Sequence, residues 1–393
     1  MNKIPNGWKE KKLKYIAEIT SSKRIYEYEY VDSGIPFYRG KEITALKNNQ
    51  KIENFIYISE KRYNELKEKY GVPSKYDILI TAVGTVGNAY TIEDDKPFYF
   101  KDGNLLWLKN IKEYPKFVEY LFECNKNILL NNFFGSVQHA LTISRLENLT
   151  FYFPPLDEQK RIASALSKID AYLENTIKLI EEKERFKRGI AKKLLTCKEG
   201  ENIPEARFKG FEDEWKETQI LEFVNNNIIK IEKGKSITKS KIEEGDIPVI
   251  AGGKTPPYYH NKYNYNFPCI TISASGSAGY VWFHDYKIWA SDCHVIYTDN
   301  KRYNIKFLYH YLKNIQDLIY YLQVGGVQKH VYAKDLIKLN IPNITIEEQE
   351  KIGGYLSLLD EEIDNLKKQK ELIKEMKRGA MQKLLSGEVR LLE

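Results

Sequence analysis

The sequence predicts an α+β protein in which two mixed α/β bodies alternate with two long helices, one structural unit being written twice. Three observations carry this. Residues 155–196 align without a gap on residues 345–386 at an offset of 190, with 15 of 42 positions identical. Both segments space apolar residues four and three apart, the coiled-coil pattern. Ahead of each lies a stretch of short β-branched runs and Gly-containing turns.

The identities include Glu158/Glu348, Gln159/Gln349, Ile162/Ile352, Leu166/Leu356, Asp170/Asp360, Gly189/Gly379 and Leu194/Leu384. Internal repeats are read first because they fix the architecture. Upstream, Gly135–Gln138–His139 matches Gly325–Gln328–Lys329 at the same offset. Ala82–Gly87 matches Ala274–Gly279 at an offset of 192, and Trp8–Lys9 matches Trp215–Lys216 at 207. The first body therefore carries about 15 more residues than the second. The bodies occupy 1–154 and 201–344, and the helices 155–200 and 345–393.

Within the bodies, Tyr76–Thr81, Phe267–Ser273, Leu105–Leu108 and His294–Tyr297 read as strands, and Phe117–Leu130 and Ile305–Leu322 as amphipathic helices. In the first long helix the stripe is Ile162, Leu166, Ile169, Leu173, Thr176 and Ile180. In the second it is Ile352, Leu356, Leu359, Ile363, Leu366, Lys370 and Ile373. Thr345 with Glu348 predicts a capping box, and Asp157 and Glu158 favour a helix N-terminus. Forty helical residues extend about 60 Å at 1.5 Å each. A lone heptad helix leaves its stripe exposed, so the two helices are expected to pair antiparallel about an internal pseudo-two-fold axis; pairing with a second chain is the alternative. Gln369 and Lys370 interrupt the second stripe and are candidates for fixing register.

The composition is that of a globular protein: 42% apolar residues and a mean hydropathy of −0.52. No apolar run is long enough for a membrane span, and residues 1–10 carry charges and Pro5, unlike a signal peptide, so a cytoplasmic location is expected. Cys124, Cys197, Cys269 and Cys293 form no C-x-x-C pair, and Cys293–His294 has no second ligand pair at finger spacing; reduced thiols and no metal are expected. The net charge of +7 and the 29 tyrosines suit an anionic partner such as nucleic acid.

Three fragments imitate catalytic motifs. Gly253–Lys254–Thr255 resembles the end of a P-loop, but Pro248 stands where the first glycine belongs. Thr255–Pro256–Pro257–Tyr258 resembles an amino-methyltransferase motif, yet Thr255 has neither carbonyl nor carboxylate to accept from an amine. Glu158–Gln159–Lys160 resembles a nuclease E-x-K, but the second copy has Glu350 in place of the lysine. No catalytic residue is expected.

Binding remains. Gln138–His139 and Gln328–Lys329 pair an amide with a basic or ionisable group, suited to adenine, guanine or phosphate. Arg39 and Lys41, and Lys254, lie in basic turns after Ile35–Pro36 and Ile247–Pro248. Thr85 and Ser277 lie in Gly-rich turns that permit close backbone approach. Tyr258, Tyr259 and His260 form a candidate DNA-facing loop.

The whole order then resembles a type I restriction–modification DNA specificity subunit. It runs from a Trp-Lys start through an Ile-Pro turn, a Gly-rich turn and a Gly-x-Val-Gln loop to Pro155–Leu156–Asp157–Glu158–Gln159. The helix that follows ends in Lys187–Arg188–Gly189 and Leu194–Leu195, and the order begins again. The second copy departs with Thr345–Ile346 in place of Pro-Leu. The resemblance implies two target-recognition domains, each reading half of a split double-stranded DNA target, and two helices acting as spacer and dock for two modification subunits. Catalysis, with S-adenosylmethionine, ATP and Mg, would belong to those subunits and to motor-nuclease subunits. A protein-only coiled-coil scaffold, or a methyltransferase with a degenerate Thr-Pro-Pro-Tyr motif, is the alternative.

Overall fold

The computed structural model describes residues 5–130 and 140–391. The chain divides into two compact units: 1–175 with 370–393, and 176–369. Each unit contains one body, the first half of one long helix and the closing part of the other.

In the first unit an antiparallel sheet runs in the order Glu18–Thr20, Leu105–Lys109, Ile78–Thr81, Ala89–Thr91. A second sheet joins Tyr30–Val31, Ile56–Ile58 and Ile35–Tyr38, and Ile35–Tyr38 also pairs in parallel with Tyr99–Phe100. Lys9–Lys12 pairs with Thr150–Phe153, closing the body just before its long helix. The second unit repeats the plan. Ile229–Lys233, Cys293–Thr298, Cys269–Ser273 and Val281–His284 form the antiparallel sheet. Tyr258–His260, Ile247–Ile250 and, in parallel, Trp289–Ala290 form the second, and Lys216–Gln219 closes on Asn340–Asn343.

The length difference has a location. Between its Ile-Pro strand and its antiparallel sheet, the first body places helices Gly40–Lys47 and Glu60–Tyr70 around strand Ile56–Ile58. The second body has strand Tyr258–His260 in that interval and no helix.

The expected strands form within two residues of their bounds. Each amphipathic helix is interrupted: Pro115–Cys124 then Lys126–Leu130, and Ile305–Asn314 then Gln316–Tyr321. The break falls at Asn125 and Ile315, equivalent by the 190 offset, where ψ is 25° and 23°. Local periodicity continues across the break, so sequence alone reads one helix.

The long helices are Leu156–Leu195 and Ile346–Leu385. Their stripe residues are buried or half-buried throughout. In the first unit Ile162 and Leu166 share a core with Met381, Leu384 and Leu385. In the second, Leu194 and Leu195 share one with Ile352 and Leu356. Ion pairs follow an antiparallel order within the second unit: Lys183 with Glu362 at 2.7 Å, and Lys187 with Asp360. In the first, Lys377 meets Asp170 at 2.8 Å.

The duplicated Glu-Gln at each helix start is structural. Glu158 is 1% exposed and accepts from Arg390 Nε and Nη2 at 2.6 and 2.7 Å. Glu348 accepts from Arg207 at 2.7 and 2.9 Å and from Trp215 Nε1 at 3.3 Å. Each arginine lies just beyond the C-terminus of the other helix. Thr345 Oγ1 accepts from the Glu348 N–H at 3.4 Å, but the Glu348 carboxylate turns to Arg207, so only half the expected capping box forms. Gln159 Oε1 accepts from the Tyr114 N–H, and Gln349 Oε1 from the Asn304 N–H, each at the start of an amphipathic helix. These bonds satisfy buried amides and fix each body on its helix.

Candidate nucleic-acid interface

In the second unit three loops distant in sequence meet. The Gly-rich turn Ala274–Gly279 lies at the centre. On one side the Ser277 N–H donates to the Gly252 carbonyl at 2.6 Å, fixing the basic turn that carries Lys254. A Cβ on Gly276 would stand 2.8 Å from that same carbonyl oxygen, and its φ is +63°, so glycine is required twice over. On the other side the Val331 N–H donates to Ala274 O at 3.1 Å, and Gln323 Nε2 to Ala278 O at 2.7 Å. These bonds anchor the base of a small hairpin closed by the Val324–His330 bridge. Val327, Gln328 and Lys329 are exposed at its tip.

The first unit repeats the junction. The Leu141 N–H donates to Ala82 O at 2.9 Å, the counterpart of Val331 to Ala274. On the other side Thr85 Oγ1 lies 3.3 Å from Thr44 Oγ1, and Gly40 packs toward Thr81. Gln138 and His139 fall outside the described residues.

Lys254 is exposed with Nζ 5.6 Å from the Tyr280 ring centroid. Lys41 is exposed, its Nζ 3.7 Å from Glu42. Thr85, Tyr258 and Tyr259 are exposed, and Ser277 is half-buried in its turn. One residue, His260, departs from the surface role expected of it, and half-buried Arg39 is already paired. Arg39 is committed internally: Nη2 and Nε donate to the buried Glu42 carboxylate at 2.7 and 3.2 Å, and this pairing lowers the Glu42 pKa against the opposing effect of burial. His260 is 2% exposed; its Nδ1 accepts from the Glu243 N–H at 3.1 Å and its ring meets Trp289 edge-on. Strand pairing with Ile247 turns it inward, whereas the sequence shows only three consecutive ring-bearing residues.

The catalytic look-alikes are occupied elsewhere. Glu158 is held by Arg390, and Gln159 Nε2 donates to Glu113 and the Pro154 carbonyl. Cys293 and His294 lie side by side in a strand, buried, with Cys293 Sγ toward Ile250 O and His294 Nε2 at Val331 O. Burial raises the Cys293 thiol to about 12. Among the described residues no group of three His, Cys, Asp or Glu side chains gathers as a metal site, and no helix is long and apolar enough to cross a membrane.

Sequence reading missed one basic residue beside this face. Lys313 packs over the Tyr280 ring at 4.1 Å. The repeat offset contains the signal, because it pairs Lys313 with Glu123, a charge reversal between equivalent helices.

The duplicated mixed α/β body, with a long helix leaving each copy, coincides with a family match that also occurs twice. Residues 5–182 and 212–375 both match the type I restriction modification DNA specificity domain, and the chain belongs to that family as a type I specificity subunit. It is 27% identical over 416 residues to the candidate type I restriction enzyme MjaX specificity subunit of Methanocaldococcus jannaschii, covering all of this chain and 96% of that one. The MjaIX specificity subunit from the same organism is 24% identical over 450 residues, with the same coverage. Among solved structures, the type I S subunit of M. genitalium aligns over 98% of both chains with a TM-score of 0.66 at 19% identity, a likeness of fold.

Proposed function

We propose that this chain is the non-catalytic DNA-reading subunit of its complex, with residues 1–154 and 201–344 as two target-recognition domains, each reading one half of a bipartite, asymmetric target. The helices of 155–200 and 345–393 then form an antiparallel coiled-coil spacer that sets the gap and docks two modification subunits. S-adenosylmethionine, ATP and Mg belong to those and to the motor-nuclease subunits, and the complex works in the cytoplasm.

The observation that carries this reading is the convergence of basic turn, Gly-rich turn and amide-bearing hairpin. An exposed Gln-Lys pair on a narrow hairpin suits base edges, while Lys254 and Lys41 suit phosphates. Thr85, Ser277, Tyr258 and Tyr259 line the same loops, and Gln138–His139 would complete the first domain. Arg39, half-exposed and braced by Glu42, belongs to the same surface. The bodies share one topology but differ in inserted elements, which suits unlike half-sites. The reciprocal Glu158–Arg390 and Glu348–Arg207 pairs suit an antiparallel spacer with one body fixed at each end.

The test is to insert about one heptad into both helices, or matched segments of them, and map adenine methylation by the reconstituted complex. Lengthening is expected to widen the gap while both half-site sequences stay the same. Changed half-sites with an unchanged gap would sink the spacer reading. A mobility-shift assay with and without modification subunits tests the DNA role itself, and absence of binding under both conditions rejects it.

A further inference from the structure

The joint between body and long helix carries opposite charge in the two units. In the first, the Glu123 carboxylate lies 3.3 Å from Lys47 and 2.7 Å from Lys377, and Lys377 also meets Asp170 at 2.8 Å. Along these four side chains cations and anions alternate, so Glu123 is paired within the protein. In the second, Lys187 meets Asp360, the counterparts of Lys377 and Asp170, but Lys313 replaces Glu123. Among the described residues no carboxylate lies within ion-pair distance of Lys313. Its Nζ has only long contacts to Val281 O at 3.3 Å and Gln316 Oε1 at 3.4 Å, plus the Tyr280 ring.

The charged groups acting on Lys313 are Lys187 and Lys254, which repel its ammonium, and Asp360, which attracts it. Burial first, then those two lysines, pushes Lys313 down to about 8. Lys254 approaches the same Tyr280 ring from the basic turn, and Tyr280 directly follows the Gly-rich turn. A cluster of cations short of one anion therefore borders the loop face.

We propose that Lys313 and Lys254 seat a backbone phosphate of DNA bound to the second unit. Phosphate is the favoured anion because its several oxygens accept from more than one ammonium group, and because the seat adjoins the loops assigned to DNA. The inference rests on the DNA-reading role proposed above.

The seat predicts a proton. Above pH 8 free Lys313 is largely neutral, and a phosphate beside it restores the charged form, so binding takes up a proton. Isothermal titration of the full chain with a random-sequence duplex, at pH 8.5 in buffers of differing ionisation heat, measures this. Wild type is expected to take up a substantial fraction of one proton, and Lys313→Met none. Each of Lys313→Met and Lys254→Gln should lower the slope of log affinity against log salt by about 0.9. Lys254 is exposed, so its variant keeps the test valid if Lys313→Met folds poorly. Duplex binding with unchanged uptake in Lys313→Met, or an unchanged slope in Lys254→Gln, overturns the seat and leaves DNA reading intact. Proton uptake with inorganic phosphate but not with duplex also overturns it. No duplex binding by wild type, alone or with modification subunits, overturns both.

Discussion

The two units build the joint between body and long helix on one skeleton and finish it differently. Both use a serine and an aspartate of the helix, Ser167 with Asp170 and Ser357 with Asp360, against one ring of the body. In the first unit that ring is Tyr120, whose hydroxyl lies 3.1 Å from Ser167 Oγ and donates to Asp170 at 2.6 Å. In the second it is His310, 3.1 Å from Ser357 Oγ, with burial lowering its pKa to about 3, so it stays neutral. The first joint adds Lys47 and Asn49, from and just beyond the inserted helix; Asn49 donates to Glu174 at 2.8 Å. The second lacks that insertion. A repeated scaffold thus keeps the contacts that hold body to helix and lets the surrounding charge diverge with the body.

Four sets of substitutions test that contrast, from the largest expected effect on folding to the smallest. Glu348→Ala strands Arg207 and removes an acceptor of Trp215, and should cost about 3–5 kcal/mol. Glu158→Ala strands Arg390, which is more exposed than Arg207, and should fall at or below the low end, about 3 kcal/mol. Trp215 and Trp8 lie in the respective joints, so denaturant unfolding followed by tryptophan fluorescence reads both; equal losses would contradict the ranking.

Lys377→Met leaves both Glu123 and Asp170 short of a partner, whereas Lys187→Met releases only Asp360. Losses of about 2 and below about 1 kcal/mol are expected, from the same unfolding curves. A larger loss for Lys187 would show that the ionic chain of the first unit does not brace it.

Gly276→Ala combines a left-handed φ with a clash on the Gly252 carbonyl, while Gly84→Ala meets the left-handed φ in open space. Thermal melting should show about 2 kcal/mol for the former and about 1 for the latter. Gln328→Ala, on the exposed hairpin tip, should leave stability within about 0.5 kcal/mol. If Gln328 reads a base, its loss weakens binding to the cognate site by about 1–3 kcal/mol, with little change on random duplex. Equal weakening on both would make it a phosphate contact.

Much of this molecule is legible in the sequence, because its signals are periodic or repeated. The heptad stripe, the two long helices and the pairing of residue 155 with 345 need no tertiary information: a helix that must bury one face writes that face every three and four residues. The family follows from the order of short motifs. The identity of Glu158 with Glu348 was visible too, but its reason was not. The partners Arg207 and Arg390 lie more than 100 residues away and do not share the repeat offset, since Arg390 follows its helix more closely than Arg207 does.

What the tertiary structure alone decided is which loops meet and which polar side chains are already taken. His260 reads as a surface group because a single sequence does not record burial, and the Arg39 pairing with Glu42 is equally unmarked. Lys313 reads as one more lysine of a helix until the fold sets it over Tyr280 with, among the described residues, no carboxylate at ion-pair distance. Periodicity is settled by sequence because it is a local property of the chain. Charge balance and hydrogen-bond satisfaction depend on groups brought together from distant segments, so only the folded chain decides them.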